Sequence, residues 1–190
     1  SVSLPDGFVG PVRKHPVEFP NGDLLCPSST EDHGWQVWME RTSDRGRSWT
    51  RVGPLNDTTT IEAIQPSLLQ EPGGALLSLG RTRQGRMFSM TSSDEGRSWS
   101  EMKLLDFHCS NSGVDGITLT DGRRIVVYDH ARNAAGDWRV GRDTIAIALS
   151  GDGRRWEAGG LVEVESGAEF SYPSIIQTGD GLIHLTYTWK

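Results

Sequence analysis

The stretch TSDRGRSW at Thr42–Trp49 returns fifty residues later as SSDEGRSW at Ser92–Trp99. A unit repeated at a fixed spacing of this size constrains the fold more than any local propensity, because the repeats must stack on one another to bury their apolar faces. A third, weaker copy, LSGDGRRW, ends at Trp156, 57 residues after Trp99. Between these copies lie hairpin patterns: HPVEFPNGDLLCPSS (His15–Ser29), IQPSLLQEPGGALLSLGRT (Ile64–Thr82), NSGVDGITLTDGRRIVVYD (Asn111–Asp129) and SYPSIIQTGDGLIHLTYTW (Ser171–Trp189). Each reads as a strand, a two-residue turn (Asn21-Gly22, Gly73-Gly74, Asp121-Gly122, Asp180-Gly181) and a second strand. The first three are followed by one more strand (WQVWMERTS, RMFSMTSS, DTIAIALS), a Gly-containing turn and the Trp. Four short antiparallel strands per unit predict an all-β chain built as a β-propeller, with blades at 11–57, 60–106 and 111–165 and a half-blade at 170–190. That makes about three and a half blades of a six-bladed ring.

The repeated motif has a physical reading. The Asp44 carboxylate and the Thr42 and Ser48 hydroxyls are acceptors for the turn's own N–H groups, Gly46 takes a positive φ, and Trp49 lies over the hairpin as an apolar lid. The same set at Asp94 predicts a second staple. The third copy places Leu149, Gly151 and Arg155 where the others carry hydroxyls and Asp, so it is expected to have lost most of its acceptors and to be the loosest. A calcium site is not expected at any of them, because Ca²⁺ takes six to eight oxygen ligands and one Asp with hydroxyls offers too few.

Composition narrows the class. Nineteen Lys and Arg against 25 Asp and Glu give a formal charge of −6, which argues against a nucleic-acid or anionic-membrane surface. The 23 Gly and 9 Pro sit mostly beside Asp, Asn or Ser and mark turns. Cys26 and Cys109 lie far apart in apolar runs and read as buried thiols, with no metal or disulfide framework. No run reaches the apolar length of a membrane span, and SVSLPDGFVG lacks the regions of a signal peptide.

The Ser/Thr-x-Asp-x-Gly-x-Ser/Thr-Trp hairpins resemble the Asp boxes of the sialidase-like (BNR-repeat) propeller superfamily over nearly the whole chain. The resemblance implies that the boxes sit on the outer rim and that substrate meets the inner strands at the central axis. Sialidases hold a sugar carboxylate with three arginines, use a Tyr activated by a Glu as nucleophile, and use an Asp as acid/base. A guanidinium fork matches a carboxylate, and a phenol is a less repulsive nucleophile than a carboxylate towards an anionic sugar. QPSLLQEPGGALLSLGRT resembles the stretch from the activating Glu to the second arginine, which maps Arg81 onto that arginine and Gln65 onto the Glu. FSYPSIIQTGDGLIHLTYTW resembles the stretch opening with the nucleophile, which maps onto Tyr172, with Glu169 or Glu62 as a substitute base. The family's Arg-Ile-Pro motif and acid/base Asp have no counterpart here. Chain order therefore leads us to expect N-terminal blades missing from this stretch and Lys190 near the native end.

Further candidates come from the residues themselves. Arg81 and Arg83 share one strand face, and Arg86 follows a Gly turn, so GRTRQGR suits an anion pocket. Arg13 and Lys14 precede an inner strand and are candidates for the axis. Asp115 and the pair Asp129-His130 end strands and are acid/base candidates, with a loop salt bridge as the alternative; His184 alternates with apolar neighbours and reads as structural. The expectation is a sialidase-like exo-glycosidase acting on terminal acidic sugars of glycans, without cofactor or metal, completed by further blades of the native chain. A non-catalytic glycan-binding propeller and a uronic-acid polysaccharide lyase are the alternatives, both compatible with Gln65. The resemblance slightly favours a secreted or periplasmic setting.

Overall fold

The computed structural model describes residues 3–131 and 141–190, with the backbone alone at Pro72 and Phe107. Fourteen strands form four antiparallel sheets among these residues. The first holds β1 (Val17–Glu18), β2 (Leu24–Thr30), β3 (Gln36–Thr42) and β4 (Thr50–Val52); the second β5 (Ala63–Gln70), β6 (Leu76–Thr82), β7 (Arg86–Ser92) and β8 (Lys103–His108). The third holds β9 (Asp115–Thr118), β10 (Arg124–Asp129), β11 (Thr144–Ser150) and β12 (Glu157–Val164), and the fourth only β13 (Phe170–Gln177) and β14 (Ile183–Trp189). In every sheet the strands lie in chain order, each paired with its sequence neighbour, which is the meander of a propeller blade. Three full blades and half of a fourth are thus present.

The blades stack because the period-two alternation is apolar on both faces. Along β10, Ile125 and Val127 face one neighbour and Val126 and Tyr128 the other. Val17, Leu25, Val37 and Met39 of the first blade meet Ala63, Leu76, Phe88 and Met90 of the second. Leu69, Leu77, Leu79 and Met87 then meet Val114, Val126, Ala146 and Ala148 of the third, whose opposite face packs Ile125, Val127 and Ile145 on Phe170 and Ile175. Where stacking stops, apolar side chains surface: Trp189 is 62% exposed, and Ile176, Leu182 and Ile183 are exposed beside it. Cys26 and Cys109 are buried free thiols, pushed up by burial to about 11 and about 12, which leaves both as unreactive thiols.

Two local expectations need correction. All four inner hairpins close through three residues rather than two: Phe19 N–H donates to Asp23 O, Glu71 N–H to Ala75 O, Leu119 N–H to Arg123 O and Thr178 N–H to Leu182 O, and the glycine before each acceptor takes a positive φ. The third staple has also kept its acceptors. In the first, the Thr42 hydroxyl accepts the Gly46 N–H at 2.8 Å and Asp44 Oδ1 accepts those of Arg47 and Ser48 at 2.9 and 2.8 Å. In the third, the Ser150 hydroxyl accepts the Gly153 N–H at 2.9 Å and Asp152 Oδ1 accepts those of Arg154 and Arg155, both at 2.8 Å. One residue fewer between Asp and Gly shifts the correct alignment by one, so Ser150 and Asp152 take the roles that a gapless alignment gives to Leu149 and Gly151. What the third staple lacks is a side-chain donor such as Ser48 or Ser98, which close on Asp44 and Asp94 at 2.7 and 2.6 Å.

Candidate functional site at the blade axis

Strands β5 and β13 open with one pattern, Gln65-Pro66-Ser67 and Tyr172-Pro173-Ser174. Proline has no N–H to give to the ladder, so pairing breaks there, and the register shifts between Ile64 and Ser67 and again between Ser171 and Ser174. The residue before each proline takes a left-handed backbone, φ 55° at Gln65 and 51° at Tyr172. That is an uncommon state for a residue with a Cβ, and one that pre-proline sterics ordinarily oppose by favouring extended backbone. The bulges turn Gln65 and Tyr172 out of the regular alternation at equivalent places of two blades. The Arg13 guanidinium lies 4.0 Å from the centre of the Tyr172 ring. Gly113 makes room for that ring, since a Cβ there would stand 3.0 Å from Tyr172 Cδ1.

Two arginines converge beside this tyrosine. Arg81, at the end of β6 and 7% exposed, donates from Nη1 to Asn111 O at 3.1 Å and Asn111 Oδ1 at 3.3 Å. Arg142, 6% exposed and just before β11, donates to the same Asn111 O at 2.7 Å and to Glu169 Oε1 at 3.2 Å. Burial lowers the Arg81 pKa, opposed by Tyr172 and Glu31 and reinforced by the charges of Arg142 and Arg13. Arg81 and Arg83 both lie over the Trp35 ring, at 5.1 and 4.5 Å, and Arg83 pairs with Glu62 at 3.5 Å. Among the described residues, Arg81 Nε and Gln65 Oε1 are buried polar atoms without a hydrogen-bond partner.

Other candidates fall elsewhere. Arg86 turns to β8, donating to Leu105 O at 2.7 Å and pairing with Asp106, so it does not join Arg81. Lys14 is buried and donates to Pro173 O at 3.0 Å; burial lowers its pKa, while Asp115 opposes that. Asp115, 1% exposed, accepts from the Ser67 hydroxyl and the Ile175 N–H and lies 3.8 Å from Lys14, so in place of the loop salt bridge it forms a buried one between blades. Glu169 and Glu62, the substitute bases, pair with Arg142 and Arg83. No hydrogen bond between either and the Tyr172 hydroxyl occurs among the described residues. Burial pushes the Asp129 carboxyl up to about 7, with Ser112 and Arg142 opposing and Glu169 reinforcing, and the His130 ring contacts the Tyr128 hydroxyl at 3.4 Å. His184 sits on exposed β14 against the Thr178 hydroxyl. Arg142 escaped sequence reading because nothing local marks it: it stands two residues before β11, and its partners Asn111 and Glu169 lie 31 and 27 residues away.

The chain matches the BNR repeat-like domain family over residues 2–185 and belongs to that family. Solved structures of similar fold include the NanB sialidase of Streptococcus pneumoniae (a K499G mutant), at 17% identity and TM-score 0.67 over 90% of this chain and 26% of that one. The intramolecular trans-sialidase of Ruminococcus gnavus, in complex with oseltamivir carboxylate, is 22% identical with TM-score 0.65, covering 90% of this chain and 38% of that one. The α-L-arabinanase of Penicillium chrysogenum, complexed with arabinobiose, is 19% identical with TM-score 0.65, over 95% of this chain and 60% of that one. The chain therefore spans between about a quarter and three fifths of these proteins' lengths. No curated protein matches it. The sialidase-like resemblance of the sequence is borne out at the level of family and fold.

Proposed function

We propose that this chain is part of a sialidase-like propeller that binds the carboxylate of a terminal acidic sugar, with Arg81 and Arg142 as the principal anion ligands and Arg13 beside them. The observation that carries this reading is the meeting of two nearly buried guanidinium groups on Asn111, next to the Tyr172–Arg13 stack. Guanidinium forks take a carboxylate bidentately, and in a shielded site each such bond is stronger than at a free surface. Arg81 Nε is a donor still to be matched, and Gln65 Oε1 would accept a sugar hydroxyl.

Exo-hydrolysis is the second reading, favoured by the left-handed Tyr172, since backbone strain of this kind gathers at functional sites. In it the Tyr172 hydroxyl attacks the anomeric carbon and must give up its proton, and Gln65 cannot take it. Glu169 would have to leave Arg142 to serve as that base, and the acid that protonates the leaving group would come from outside the described residues or from Asp129, whose raised pKa suits a proton donor at neutral pH. Calorimetric titration with the methyl glycoside of a sialic acid, and with the analogue whose carboxyl is reduced to an alcohol, tests the main reading. We expect the acid to bind and the alcohol to bind at least about tenfold more weakly, with Arg81→Lys and Arg142→Lys each removing a similar factor. Equal affinities for acid and alcohol would overturn it.

A further inference from the structure

We infer that Asp115 and Lys14 are positioning residues that clamp the two proline bulges and so set where Gln65 and Tyr172 stand at the axis. One carboxylate joins three blades here: Asp115 Oδ1 accepts the Ser67 hydroxyl at 2.7 Å from the second blade, and Asp115 Oδ2 accepts the Ile175 N–H at 3.1 Å from the fourth. Lys14, on the segment leading into the first blade, has its Nζ 3.8 Å from Asp115 Oδ1 and donates to Pro173 O at 3.0 Å. The Ser67 hydroxyl in turn accepts the Gly116 N–H at 3.3 Å, and the Gln65 N–H is held by the Ser29 hydroxyl at 3.2 Å.

The bonds fall on the residues that flank the strained positions. Ser67 is the first residue after the Gln65-Pro66 bulge. Pro173 O lies inside the register shift between Ser171 and Ser174, and Ile175 N stands just beyond it, where regular pairing has resumed. A left-handed residue before proline persists only where its surroundings over-determine it. Both side chains of the pair are nearly fully buried, 4% and 1% exposed, so neither is placed to meet a ligand from solvent. A buried charge pair is a poor source of net stability, yet losing one member leaves the other uncompensated, which suits a device that fixes geometry. Lys14 and Asp115, read from the sequence as a ligand and an acid, are in this view the support beneath both.

The clamp is a statement about Tyr172 without any ligand; only its effect on affinity rests on the acidic-sugar reading. The chain has three tyrosines, so ¹³C-tyrosine labelling yields three separable sets of ring signals. In the sugar-free chain, Lys14→Met and Asp115→Asn should each move the Tyr172 ring signals by more than those of Tyr128 and Tyr187, which pack in the clusters of Val114 and Ile175 on either side of Asp115. Affinity for the sialic acid methyl glycoside should fall about tenfold in both, the worth of one charge-assisted hydrogen bond. If Asp115→Asn does not fold, Lys14→Met still decides, because a methionine fits the buried path of the lysine stem. Tyr172 signals unmoved in folded Lys14→Met would overturn the clamp. A wild-type chain that ignores the glycoside while the variants still shift Tyr172 would sink the sugar reading and leave the clamp standing.

Discussion

The two ends of the blades are built from the same polar vocabulary and obey opposite rules. At the staple end, Asp44, Asp94 and Asp152 accept N–H groups two to four residues away. Hydrogen bonds from those N–H groups hold the Asp44 carboxyl down at about 2 and keep Asp152 low, and the Ser98 hydroxyl followed by its N–H does the same for Asp94. At the axis end the partners lie 48, 60 and 159 residues apart, as in Ser67–Asp115, Ile175–Asp115 and Lys14–Pro173, and burial rather than local bonding governs the titration of Asp129 and Lys14. A staple forms wherever its eight residues occur, whereas the axis site exists only when several blades are docked. Carboxylates held low therefore mark local structure here, and a carboxyl held high marks the assembled site.

The sharpest test of that contrast is Asp129. Its folded pKa lies above the unfolded value, so the proton it binds stabilises the fold below about pH 4 and that contribution is lost as pH rises through 7. Asp129→Asn should accordingly raise stability at pH 8, by up to about 4 kcal/mol if the full shift is realised, and change little at pH 4. Urea unfolding at the two pH values measures it, and equal effects at both would show that the axis end does not depend on burial in this way. Ser150→Ala probes the other end. It removes the buried acceptor of the Gly153 N–H and should cost about 1 kcal/mol at every pH between 5 and 8, read from the urea midpoint. A cost near zero would mean that the third staple is idle, as its gapless alignment suggests. The smallest effect belongs to Gly151→Asp. A Cβ there meets nothing within 4 Å, and Asp152 already holds the donors, so the thermal midpoint should stay within the range of a surface change, about 0.5 kcal/mol.

Local chemistry was legible in the sequence to the extent that it was local. The staple residues Thr42, Asp44, Gly46 and Trp49 carry their own partners within one turn, so residue type and spacing were enough to read both the staple and, from its recurrence, the blade. The same alternation of apolar residues that named the strands also required stacking, because β6 and β10 are apolar on both faces. The third staple was misread because a single deleted residue moves every acceptor by one position while leaving Gly153 and Trp156 in view.

The sequence by itself determined the meander and the presence of a tyrosine and an arginine in family-like positions. Only the tertiary structure decided that Arg142 joins Arg81 on Asn111, that Arg86 leaves for β8, and that Lys14 and Asp115 meet as a buried pair. The physical reason is that strand and turn preferences are settled by bonds spanning a few residues. Which cation meets which carboxylate at the axis depends on blade rotation and on backbone turned left-handed at Gln65 and Tyr172, and no residue's own neighbours encode either.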